Sequence, residues 1–310
     1  MTAPPGPESG HPEAGLSAIM SERGQLINVA YRLLGSLADA EDVVQDTYAR
    51  WYAMSRQQQE AIDSPGAWLT TVASRICLDL LRSARARRER YVGEWLPEPV
   101  PEPTGWINGG GSSAPADPAD RVTLDESVSM AFLVVLESMT AAERVAFILH
   151  DVFRYSFAEV AEIVGRTPGA CRQLASSARS RIGASQSPPT QPPQRARVVR
   201  DFRKAWAARD IDALLGLLDP DATAIADGGG RVTANLNPLE GAEEIVRFYL
   251  DIADRIPVGV TIQECAVNGQ PGLVMRHDGV AVTVLAFDIS GDRITHIWAV
   301  RNPDKLRPWC

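Results

Sequence analysis

Two proline- and glycine-rich interruptions decide what this chain can fold into, because neither composition can continue a helix or a sheet. Between residues 93 and 118, 11 of 26 residues are Pro or Gly, and Glu94, Glu98, Glu102 and Asp117 have no base among them. Such a stretch buries little and reads as a flexible linker running extended over a surface. A second stretch, SQSPPTQPPQ at 185–194, reads as a semi-rigid spacer of polyproline type. Three folded parts remain, at 16–92, 119–184 and 195–310, each long enough for a hydrophobic core.

Composition narrows the class. With 45% apolar and 23% charged residues the chain is globular, and its apolar runs fall far short of the ~20 residues of a membrane span. Its start has neither a basic nor an apolar targeting region, so a cytoplasmic protein is expected. Cys77, Cys171, Cys265 and Cys310 are far apart with no CxxC pair, so neither a metal site nor a disulfide framework is legible, and reduced thiols are expected, mostly in the core. No cofactor is implied. The net charge of -8 averages over strong local asymmetry, and of 31 basic residues only Lys204 and Lys305 are Lys. Arg suits bidentate contacts to phosphate or guanine, although a GC-rich genome gives the same bias.

The first part reads as helices. Between Asp39 and Tyr52, Ala40, Val43, Val44, Thr47, Tyr48 and Trp51 share one side, and Asp39, Asp42, Asp46 and Arg50 the other, so an acidic face points outward. After Pro65, Leu69, Val72, Ala73, Ile76, Cys77, Leu80 and Leu81 form one arc, opposite Trp68, Thr71, Arg75, Asp79 and Arg82. An exposed Trp beside spaced arginines fits a platform for unpaired bases; the alternative is Trp68 folded back onto the core. In the second part a short helix at 155–164, a stop at Gly165 and the Thr167-Pro168 start signal spell a helix-turn-helix. Its second helix turns Arg172, Gln173, Ser176 and Arg179 outward, with four arginines and no acid between Gly165 and Ile182, the charge pattern of a DNA-reading helix.

The third part changes to α+β. An amphipathic helix near 197–218 precedes the strand-like ATAIAD, the turn DGGGR, a helix near 242–252, and strands near 258–267, 272–277, 280–289 and 293–300. This order predicts a curved sheet wrapped around a helix, enclosing a small pocket.

Together these parts resemble the extracytoplasmic-function RNA polymerase sigma factors that carry a C-terminal SnoaL-like domain. YRLLGSLADAEDVVQDTYARWY and PGAWLTTVASRICLDLLRSARARR resemble sigma region 2, and MTAAERVAFILHDVFRYSFAEVAEIVGRTPGACRQLASSARSRI resembles region 4. The short motifs WLPEP (95–99), DGGGR (227–231) and NPDKL (302–306) appear in the order of that sub-group. The resemblance implies two all-α domains followed by an α+β cone domain. It implies core-polymerase docking through Asp42, Gln45 and Asp46, minus-ten contacts from Trp68, Arg75, Asp79 and Arg82, and minus-thirty-five contacts from Arg172, Gln173, Ser176 and Arg179. It further implies a regulatory interface of Trp95, Leu96 and Pro97 with Asp227, Gly228, Gly229, Gly230 and Arg231 and with Asn302, Pro303, Asp304, Lys305 and Leu306. Control then comes from the chain's own C-terminal domain, without a separate anti-sigma factor. Read without the resemblance, DGGGR is a plain turn and NPDKL a solvated tail.

The expected function is an alternative sigma factor whose partners are core RNA polymerase and promoter DNA, with a possible small-molecule ligand in the C-terminal domain. One alternative is a ligand-responsive helix-turn-helix regulator not bound to polymerase. Another is a C-terminal domain with ketosteroid-isomerase-like activity, which needs a carboxylate base and an oxyanion site inside the cone. Asp227, Asp288, His277 and His296 are available, but no spacing forces an acid/base pair, so no catalytic residue is assigned.

Overall fold

The computed structural model describes residues 22–88, 91–101, 128–185 and 190–309. The expectations for residues 102–127 and 186–189 and for Cys310 lie outside the described residues. Helices α1 (Arg23–Leu34), α2 (Leu37–Ala53), α3 (Arg56–Glu60) and α4 (Pro65–Arg88) come first. The α1 to α2 corner is tight because Gly35 takes a left-handed φ of 67° and its N–H donates to the Tyr31 carbonyl, while Ser36 caps α2. Then come α5 (Met130–Glu137), α6 (Ala141–Phe147) with a π turn at Ile148–Val152, α7 (Phe157–Val164) and α8 (Pro168–Ser185). Capping boxes at Thr140/Glu143 and Ser156/Glu159 start α6 and α7. Gly165 at φ 72° ends α7, so the helix-turn-helix stands where the sequence places it.

The two helical parts do not have separate interiors. One apolar core runs from Leu26 through Val44, Leu69, Leu136 and Phe147 to Ile182. Arg144 crosses it while buried, donating to the Leu33 carbonyl (3.0 Å) and to Glu137 (2.8 Å); burial lowers its guanidinium to about 9.

The third part begins with α9 (Pro192–Ala208), earlier than expected near residue 197, because Pro192 and Pro193 occupy the first turn, where no intrahelical N–H is needed. The expected single helix breaks at Arg209, whose φ is 56°, into α9 and α10 (Ile211–Leu217). A six-stranded sheet follows, built from β1 (Leu218–Asp227), β2 (Leu239–Glu240), β3 (Val260–Val267), β4 (Gln270–His277), β5 (Val280–Ser290) and β6 (Arg293–Val300), with α11 (Ala242–Arg255) before β3. The strand order is β2-β1-β6-β5-β4-β3. β3 to β6 form the expected antiparallel meander, and β1 joins β6 in parallel.

One face of the sheet packs on α9 and α11 around Phe202, Trp206, Tyr249 and Phe287. The opposite face, with Val274, Val284, Trp298 and Val300, is covered by Leu96, Met130, Leu306 and Trp309. Leu96, expected at the regulatory interface, is buried, and the burial of Glu98 and Val100 corrects the reading of a linker that buries little; Trp309 Nε1 donates to the Pro99 carbonyl at 2.8 Å, and Pro101 bridges to Val267. The prolines hold this segment extended, so that Leu96 packs on the sheet face and Val100 enters the core of the helical parts. Among the described residues no helix is long and apolar enough to cross a membrane.

Candidate functional site

On α2 the side chains of Asp42, Gln45 and Asp46 are exposed, as the helical period predicts. Asp46 pairs with Arg50 one turn on, at 2.9 Å. The N-terminus of this helix carries a cap the sequence reading missed: the Glu98 carboxylate accepts from Leu37 N at 2.8 Å and Ala38 N at 3.5 Å. Burial raises the pKa of Glu98, against the lowering effect of those hydrogen bonds. A linker residue thus finishes the helix that presents the acidic face.

On α4 the arrangement is mixed. Asp79 and Arg82 are exposed and paired with each other at 3.3 Å. Trp68 is not a free platform: it is half-buried and meets Trp51 edge to face, with ring centres 5.3 Å apart, so the alternative of folding back onto the core is realised. Arg75 lies on the outer side as expected, but its Nη2 donates to the Glu162 carbonyl on α7 at 3.0 Å. The two helical parts are therefore in contact through a residue that the resemblance places on promoter DNA.

On α8 Arg172, Gln173 and Ser176 are exposed. Arg172 rests over the Phe157 ring, 5.2 Å from its centre, which orders it without consuming its donors. Arg179 is bonded to Asp151, Nε to Oδ1 at 2.6 Å, and so serves region 4 packing in this structure.

The three short motifs meet at one buried carboxylate. Asp227 ends β1 with no exposed surface, and four donors converge on it: Tyr91 Oη at 2.6 Å, Leu96 N at 3.0 Å, Gly229 N at 3.0 Å and Lys305 Nζ at 2.7 Å. Lys305 Nζ also donates to the Leu96 carbonyl and lies 4.1 Å from the Trp95 ring centre. Asn302 Nδ2 donates to Tyr91 Oη at 2.9 Å, and Arg231 pairs with Asp304 at 3.1 Å on the exposed rim. Burial and the Asp227 carboxylate raise the Tyr91 pKa, so its hydroxyl stays a donor. Gly229 needs to be glycine: its φ is 59° and a Cβ would overlap the Asn302 amide. Pro303 opens a short 3-10 turn and Leu306 is buried, so NPDKL is no solvated tail. Tyr91 had no signal in the sequence beyond being aromatic.

The cone interior offers no acid/base pair among the described residues. Phe202, Trp206, Tyr249 and Phe287 fill it with ring centres 5.0–6.3 Å apart. A bulge at Thr295 shifts the β6 register, leaving Ile294 with the helices and stacking His296 on Trp298, at 5.5 Å, on the opposite face. Asp288 is 3.7 Å from His296, and His277 is beside Asp278 in an exposed turn. A cavity of about 530 Å³ opens instead at the rim, lined by Leu215, Glu240, Arg247 and Arg293. Burial raises the thiol of Cys265 to about 12, so it is protonated near neutral pH.

Comparison with known proteins agrees with this architecture part by part. Residues 18–87 match the model of sigma-70 region 2, residues 129–182 that of sigma-70 region 4, and residues 199–305 that of the SnoaL-like domain. The chain is similar to the ECF RNA polymerase sigma factor SigJ of Mycobacterium tuberculosis, 39% identical over 92% of this chain and 90% of the relative. It is also similar to the probable ECF RNA polymerase sigma factor SigI of that species, 34% identical over 94% of each. The crystal structure of the M. tuberculosis SigJ superposes with a TM-score of 0.73 at 34% identity, over 94% of this chain and 97% of that one. With all three parts matched in order and nine tenths or more of each chain shared, the chain belongs to the extracytoplasmic-function RNA polymerase sigma factors that end in a SnoaL-like domain.

Proposed function

We propose that this sigma factor docks on core RNA polymerase through Asp42, Gln45 and Asp46, reads promoter DNA with α4 and α8, and is restrained by its own C-terminal domain rather than by a separate anti-sigma factor. It works in the cytoplasm, where polymerase and promoters are. Its SnoaL-like domain acts as a structural regulator and not as an enzyme.

The observation that supports this most is the convergence on Asp227 of donors from the linker and from the NPDKL segment. A buried ion pair is costly to desolvate and is held only where its partners are fully hydrogen-bonded, so removing either side leaves a buried charge unpaired. While the linker is bound there, regions 2 and 4 share a core and Arg75 is spent on the Glu162 carbonyl. Promoter reading requires α4 and α8 to reach separate DNA elements, so release of the linker and parting of the regions belong to activation. The aromatic filling of the cone supports a non-catalytic role.

The test is binding of labelled full-length protein to purified core polymerase. Asp42→Lys/Asp46→Lys is expected to abolish binding and leave the melting temperature nearly unchanged, because exposed substitutions cost within ~0.5 kcal/mol. Full binding by the folded double variant would overturn the docking assignment.

A further inference from the structure

Asn268 lies outside all three motifs, at the turn between β3 and β4, and its side chain is fully buried. Its φ of 53° and that of Gly269, 72°, are those of the Asn-Gly hairpin turn. That turn needs only the backbone; a solvated carboxamide would serve it equally. Here the carboxamide enters the helical half of the molecule. Nδ2 donates to Tyr31 Oη at 2.7 Å and to the Val128 carbonyl at 2.9 Å, and Oδ1 accepts from Val100 N at 3.1 Å. The Asn268 backbone N–H donates to the Val100 carbonyl at 2.9 Å. Tyr31 Oη in turn donates a hydrogen bond to the Glu98 carbonyl at 2.7 Å.

Tyr31 belongs to α1 of region 2, Val100 to the linker, and Val128 leads into α5 of region 4. One side chain of the C-terminal domain thus bonds all three, using both amide hydrogens and the carbonyl oxygen. Each of these polar groups is buried, so none can be freed without a substitute partner. Parting region 2 from region 4 while the C-terminal domain stays on either one breaks at least one of these bonds.

We propose that Asn268 is a positioning residue for promoter recognition: it fixes the spacing of regions 2 and 4 and is a latch, separate from the Asp227 cluster, that opens before the two DNA-reading helices part. This rests on the reading that the C-terminal domain restrains the sigma regions.

The experiment uses full-length protein with a donor and an acceptor dye on ketone-bearing residues placed at exposed Gln57 and Arg166, leaving the cysteines untouched. Energy transfer reports the separation of the two regions. Asn268→Gly keeps the left-handed backbone and removes the amide; Asn268→Asp keeps the shape and removes both donors. Each is expected to raise the separated fraction by roughly tenfold, the size expected when buried hydrogen bonds are lost. In the Asn268→Gly background Tyr31→Phe is expected to add only the loss of the Tyr31–Glu98 bond, because the bond it shares with Asn268 is already gone. Asp227→Asn serves as the second arm. If Asp227→Asn separates the regions and both Asn268 variants do not, the latch is overturned and the restraint stands; if none of the three does, the restraint itself is overturned. Should Asn268→Gly fail to fold by circular dichroism, Asn268→Asp carries the same test.

Discussion

The Lys305 ammonium lies 2.7 Å from Asp227 Oδ2, both groups being buried, and the same ammonium faces the Trp95 ring. This places one residue of each short motif within a single contact cluster, in a chain where they are separated by more than 70 positions. A strong coupling between Asp227 and Lys305 follows. Removing one member of such a pair costs about 3–5 kcal/mol, so Asp227→Asn and Lys305→Met are each expected to undock the linker. The double variant is expected to cost much less than their sum. Urea titration with protease cleavage at residues 91–101 as the second probe checks this; additive losses would separate the two residues.

Gly229→Ala is expected to behave like the loss of that pair although it changes no charge. Its positive φ is unfavourable for alanine, costing about 1 kcal/mol or more, before the overlap with Asn302 is counted. Gly165→Ala shares only the first cost, since nothing lies within 4 Å of its Cβ position. Thermal melts of the two variants compare them directly.

The pH dependence of linker docking follows from Glu98. Its pKa in the folded chain is raised by burial above the ordinary 4.5, so the docked state binds the proton more tightly than the free linker. Docking therefore strengthens as pH falls from neutral toward 4.5, levels off below it, and is weakest above the folded value. Glu98→Gln retains an acceptor for the Leu37 N–H and is expected to flatten this dependence. Linker protection measured from the ordinary carboxylate value of 4.5 up to neutral pH gives the slope and its sign.

Promoter contacts divide by what holds each arginine. Arg172, exposed and braced on Phe157, is expected on substitution by Ala to lose about 1–3 kcal/mol of promoter affinity and to relax preference at one position of the upstream element. Arg179→Ala leaves the part-buried Asp151 without its 2.6 Å partner, so its main effect is expected on region 4 stability. Binding to a randomised upstream element, beside thermal melts, separates the two outcomes.

Much of this architecture is legible in the sequence itself. The acidic period on α2, the Gly165 stop with Pro168, and strands β3 to β6 follow from local pattern, and the motifs pointed to Asp227, Asn302 and Lys305. Glu98 is legible only as one acid in a polar linker, and the Leu37 and Ala38 N–H groups that bond it lie 61 and 60 residues away. Asn268 announced a turn, but its partners lie 140 to 237 positions off, beyond any local signal. Trp68 fell on the outer arc of the wheel, yet Trp51 gives it an aromatic partner across the helix pair. Similarly, the linker read as burying little because composition averages over Val100, which enters the core of the helical parts.

The account rests on the claim that the buried Asp227 cluster restrains promoter use, and run-off transcription at matched holoenzyme concentration tests it most directly. With purified core polymerase and a promoter selected by this protein, Asp227→Asn is expected to bind core like the wild type and to yield more transcript, roughly fivefold for each 1 kcal/mol of restraint removed. Equal transcript from wild type and variant, with equal linker protection, would contradict the account.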